Sequence, residues 1–121
     1  MAAWRVRRSI IQGMVAKPQT LPFDWPPDEV EQFCRRWKIE ELSLFGSALR
    51  EDFRPDSDID LLARFSPDAG WSLFDHAQME IELIARLGRE VDLLNRSAVE
   101  RSPNWIRREE ILGTARPLYA A

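Results

Sequence analysis

The chain has 121 residues, 45% of them hydrophobic and 31% charged, which suits one globular core and is too few for two ordinary domains. Lys and Arg number 17 against 20 Asp and Glu, and this net charge of -3 argues against a chain that coats a phosphate backbone, so no direct nucleic-acid binding is expected. No apolar run approaches the ~20 residues of a membrane span or reads as a signal peptide, so a cytoplasmic, membrane-free protein is expected; one cysteine, Cys34, and one histidine, His76, exclude an internal disulfide and a Cys/His zinc site.

Residues 1–17 carry Arg5, Arg7, Arg8 and Lys17 with no acid, which leaves an acidic body with 13 basic against 20 acidic groups. Residues 1–20 therefore read as a basic N-terminal extension and 21–121 as the domain. Four prolines from Pro18 to Pro27, interleaved with Phe23 and Trp25, mark a linker that lies on the domain through its aromatics. From Pro27 to about Lys38 a helix is expected, with Val30, Phe33, Cys34 and Trp37 on one face and Asp28 and Glu29 in the first turn, where the helix dipole favours acids. Leu42, Leu44 and Phe45 then form a short apolar strand ended by Gly46-Ser47, and ALRED starts a short helix.

Residues 57–65 alternate Asp58 and Asp60 with Ile59, Leu61 and Ala63, the period of a strand. Trp71 to Leu87 reads as a helix with Phe74, Ala77, Ile81, Ile84 and Ala85 at helical spacing, closed by Gly88. His76 reads as a surface or half-buried residue of that helix rather than a base, and Cys34 as core. EVDLLN, with Asp92, is a further short strand. Ser97 and Glu100 have the spacing of a capping box, a last helix starts near Asn104 and closes at Gly113, and ARPLYA is a final extended piece. The expected fold is α+β, a small mixed sheet with helices packed against it.

Asp58 and Asp60, two apart in an apolar strand, project from one face with their Cα atoms roughly 6.5–7 Å apart. Two like charges so close repel each other, and a hard cation such as Mg²⁺, which takes oxygen ligands, suits the space between them. Asp92 supplies a third ligand if its strand pairs beside theirs. Gly46 lets the backbone turn sharply after a strand, and Ser47 adds a hydroxyl beside exposed N–H groups, a natural place for a phosphate. A lone Asp-x-Asp or Gly-Ser pair has little specificity. Here ten residues separate Ser47 from Asp58 within a strand-turn-strand frame.

LFGSALREDFRPDSDIDLLARF resembles the Gly-Ser-x10-Asp-x-Asp signature of the minimal nucleotidyltransferases, small relatives of the DNA polymerase β superfamily, with a later Val-Asp-Leu that carries Asp92. The resemblance covers about residues 28–120, and Glu51 stands where some members have glycine. It implies a polymerase-β-like nucleotidyltransferase fold, a nucleoside triphosphate held on Gly46 and Ser47 with Arg50 as an additional phosphate contact, and two Mg²⁺ ions held by Asp58, Asp60 and Asp92 as the catalytic set. For single-domain members it further implies an antitoxin that moves AMP from ATP to a tyrosine of a HEPN-domain ribonuclease toxin. Two other readings stand beside it: transfer to a small molecule, whose enzymes usually add a helical domain over the acceptor, and a non-catalytic antitoxin that acts by covering its partner.

Overall fold

A computed structural model describes Leu21, residues 23–46 and residues 57–121. The expectations for residues 1–20, for Ser47 and Arg50, and for the ALRED helix lie outside these residues. The elements are α1 (Pro27–Arg36), β1 (Ile39–Phe45), β2 (Ile59–Phe65), α2 (Leu73–Leu87), β3 (Val91–Asn95), α3 (Arg96–Glu100), α4 (Trp105–Thr114) and β4 (Arg116–Ala120). The four strands form one sheet in the order β3-β2-β1-β4. Strand β1 runs antiparallel to β2 and β4, and β2 runs parallel to β3, so the sheet is mixed as expected. Among the described residues no helix is long and apolar enough to cross a membrane.

Alternation divides the strands between two cores. Leu42, Leu44, Ile59, Leu61, Ala63, Val91 and Leu93 face Val30, Phe33 and Cys34 of α1 and Met79 and Leu83 of α2. A bulge between Ile39 and Glu41 lets Ile39 join that core although it lies an odd number of positions from Leu42. The opposite face holds a smaller cluster, Phe45 and Leu62 under Val99 of α3 and Ile111 of α4. Trp25 is buried edge-on to Phe33, and Phe23 packs on the main core, as expected for the aromatic linker.

Helix α2 departs from its sequence pattern. Its buried residues are Met79 and Leu83, with Ile84 and Leu87 packed beside them, whereas Phe74 is 87% and Ile81 58% exposed. The helix carries two apolar stripes, and the one that meets the sheet contains Met79, a residue the Phe74–Ala77–Ile81 spacing passes over. A capping box fixes its start: Asp75 N–H donates to Ser72 Oγ at 3.2 Å, and Ser72 N–H donates to Asp75 Oδ2 at 2.9 Å. Gly88 ends it at φ 72°, the left-handed conformation that glycine adopts without strain. Helices α1 and α2 are tied by Trp37 Nε1 donating to Glu82 Oε1 at 3.0 Å and by the Arg36–Glu82 ion pair.

Two caps differ from expectation. Asn95, not Ser97, caps α3, its Oδ1 accepting from Ser97 N–H at 2.9 Å, so Ser97 and Glu100 do not form a capping box. Helix α4 begins after Asn104 as expected and continues through Gly113 to Thr114, and its Trp105 stands 61% exposed.

Candidate active site

Because β1 runs antiparallel to β2 and β2 parallel to β3, the C-terminal end of β1 and the N-terminal ends of β2 and β3 meet at one end of the sheet. The register there is a single row: Phe45 opposite Asp60, and Asp60 opposite Asp92. Residues directly paired across strands share a face, so Asp60 and Asp92 project together. They do so on the face that carries the smaller core, one row beyond the row in which Leu62 pairs Leu94. Asp58 immediately precedes β2, two residues before Asp60. Asp60 is half-buried, and Asp58 and Asp92 are exposed.

Gly46 has φ 76°, and a Cβ built on it would lie 2.3 Å from Asp60 Oδ2 and 3.1 Å from Asp60 Cγ. The backbone at Gly46 therefore passes directly against the Asp60 carboxyl, an approach that leaves no room for a Cβ unless that carboxyl moves. This is the local turn expected of Gly46, and it adds a contact that the sequence does not announce. Its neighbour Ser47, like Arg50, is outside the described residues.

Among the described residues no three His, Cys, Asp or Glu side chains are gathered to hold one ion. The strands bring Asp60 beside Asp92 without closing a three-carboxylate cage. That arrangement fits Mg²⁺, which dehydrates reluctantly and in nucleotide sites is held by one or two carboxylates plus substrate phosphates and water. Oxygen donors on paired strands are the donor chemistry such an ion takes.

Sequence reasoning underrated two residues of α2. His76 Nε2 donates to the Leu93 carbonyl at 2.5 Å, and Glu80 Oε2 accepts from Leu93 N–H at 2.8 Å. His76 is half-buried, within the expected range, but it serves the backbone of β3. The only available signal was the i, i+4 spacing of His76 and Glu80 on a helix that leads into β3.

A nucleotidyltransferase-domain family model matches residues 29–116, and the chain belongs to that family. It is 35% identical over 70 residues to the protein adenylyltransferase MntA of Thermococcus cleftensis, covering 58% of this chain and 69% of the relative. A candidate protein adenylyltransferase of Methanocaldococcus jannaschii is 38% identical over 61 residues, 50% of this chain; the match spans 63% of that relative's length. Among solved structures, a candidate minimal nucleotidyltransferase superposes with a TM-score of 0.59 at 34% identity, covering 75% of this chain and 87% of the other. A toxin-antitoxin complex with AMP-PNP gives 0.63 at 18% identity, with 80% and 75% covered. The tri-AMPylated Shewanella oneidensis HEPN toxin bound to its MNT antitoxin gives 0.55 at 18%, with 78% and 70% covered. At 18% identity the likeness is one of fold.

Proposed function

We propose that this protein is a Mg²⁺-dependent adenylyltransferase that moves AMP from ATP to a tyrosine of a partner protein, a HEPN-domain ribonuclease toxin, and so serves as its antitoxin in the cytoplasm. The observation that carries the reading is the row Phe45–Asp60–Asp92 with Gly46 against the Asp60 carboxyl, in a chain of the nucleotidyltransferase family. The names of its relatives, protein adenylyltransferases, and of its structural neighbours, toxin-antitoxin complexes with an ATP analogue or an AMPylated toxin, support the choice of reaction and acceptor.

In this reading the phenol oxygen attacks the α-phosphorus of ATP in line. The new O–P bond forms as the bond from the α-phosphorus to the bridging oxygen breaks, pyrophosphate departs, and the phenol proton passes to a carboxylate or to water. Asp60 and Asp92, with Asp58 just before β2, would hold Mg²⁺ together with phosphate oxygens and water, and the ion when bound would supply charge stabilisation for the attacking and leaving oxygens. Asp92 accepts the phenol proton or orients the phenol, and a phenol, with a pKa near 10, gives up its proton more readily than an aliphatic hydroxyl. Gly46 lets the main chain approach the triphosphate, with Ser47 adding a hydroxyl and Arg50 a positive charge.

Label transfer tests the reaction type. ATP labelled at the α-phosphate should mark the partner, and ATP labelled at the γ-phosphate should not. Marking by the γ-label would indicate phosphoryl transfer, and marking by neither would remove the enzymatic reading.

A further inference from the structure

Strand β3 is the outer strand of the described sheet, so one row of its backbone groups has no strand beyond it. At Leu93 that row is occupied by side chains. Glu80 accepts the N–H and His76 donates to the C=O, at 2.8 and 2.5 Å, and Leu93 itself is buried at 1% exposure. His76 and Glu80 are i, i+4 neighbours on one face of α2, so a single helix offers one donor and one acceptor at a spacing that takes the place of a neighbouring strand. The helix is in turn fixed at its start by the Ser72–Asp75 capping box and to α1 through Glu82.

Leu93 adjoins Asp92. A slip of β3 by one residue would turn Asp92 from the face it shares with Asp60 to the opposite one, since the side-chain period of a strand is two. We infer that Glu80 and His76 are positioning residues for Asp92: by clamping both backbone polar groups of the adjoining residue, Leu93, they hold the outer strand in the register that sets Asp92 beside Asp60. This inference rests on the reading of Asp92 as part of the transfer site.

The test uses the full chain, its HEPN partner and α-labelled ATP, with Mg²⁺ as the titrated ion, below the melting temperature of every variant. Glu80→Ala should lower kcat by about tenfold or more and raise the Mg²⁺ concentration needed for half-maximal rate, as loss of a group behind a metal ligand does, while KM for ATP stays within about twofold. Glu80→Gln, which keeps an acceptor oxygen, should recover most of the rate. If Glu80→Ala does not fold, His76→Ala against His76→Gln makes the same comparison, glutamine keeping an N–H donor. Variants that melt lower yet keep the wild-type kcat and Mg²⁺ response would overturn the inference and leave a purely edge-covering role. A wild-type chain that transfers no label at all would overturn the functional reading, and this inference with it.

Discussion

At Gly46 the fold and the candidate chemistry make the same demand. Its φ of 76° already disfavours a side chain, and a Cβ would press on the Asp60 carboxyl at 2.3 Å. Gly46→Ala should therefore cost about 1–2 kcal/mol of stability in a urea melt through the left-handed backbone alone. It should also remove the thermal shift that Mg²⁺ plus ATP gives the wild type, because Asp60 must swing out of its row; a full shift in the variant would show that the close approach is incidental. Cys34 makes a separate claim. Burial pushes its thiol far above the ordinary 9.0. A raised folded-state pKa contributes stability that is complete below pH 9.0 and is lost as pH rises above it, at up to about 1.4 kcal/mol per pH unit. Urea melts at pH 8 and pH 10 should show the wild type losing that increment relative to Cys34→Ala; equal losses would contradict the assignment. The acid side has the opposite sign: the Arg86 guanidinium holds the exposed Glu29 carboxyl below its ordinary 4.5, so that pair weakens as the solution is acidified past this value.

At the scale of elements, the strands were legible because their chemistry is one-sided. Ile59, Leu61 and Ala63 against Asp58 and Asp60 leave one assignment of faces, and the parallel pairing with β3 repeats it for Val91, Leu93 and Asp92. Helix α2 was legible in extent but not in orientation. Its apolar residues fall on two stripes, and periodicity cannot tell which one the sheet takes. The deciding contacts lie elsewhere in the chain: Trp37 and Arg36 reach Glu82, while Leu93 engages Glu80 and His76, and together they turn Met79 and Leu83 inward. Met79→Ala should thus cost about 2–5 kcal/mol, as truncations of fully buried side chains do. Ile81→Ala should stay within about 0.5 kcal/mol, because that side chain is 58% exposed. Equal costs in a denaturant titration would mean that the other stripe faces the sheet.

Across the molecule, the candidate site was legible as residues and not as an arrangement. Asp58, Asp60 and Gly46 announce themselves by spacing, yet nothing in their order states that β3 lies parallel to β2 with Asp92 opposite Asp60, which depends on the connection through α2. Nor does the spacing say that, among the described residues, the acids do not gather as a group of three. The proposed transfer of AMP at this sheet end is tested most directly by the intact mass of the proposed HEPN partner after incubation with ATP, Mg²⁺ and the chain. With the wild type, the mass should rise by about 329 Da for each AMP joined with loss of pyrophosphate, and with Asp60→Asn, whose metal-holding charge is gone, it should not rise. A partner neutralised at unchanged mass, or modified equally well by Asp60→Asn, would contradict the account.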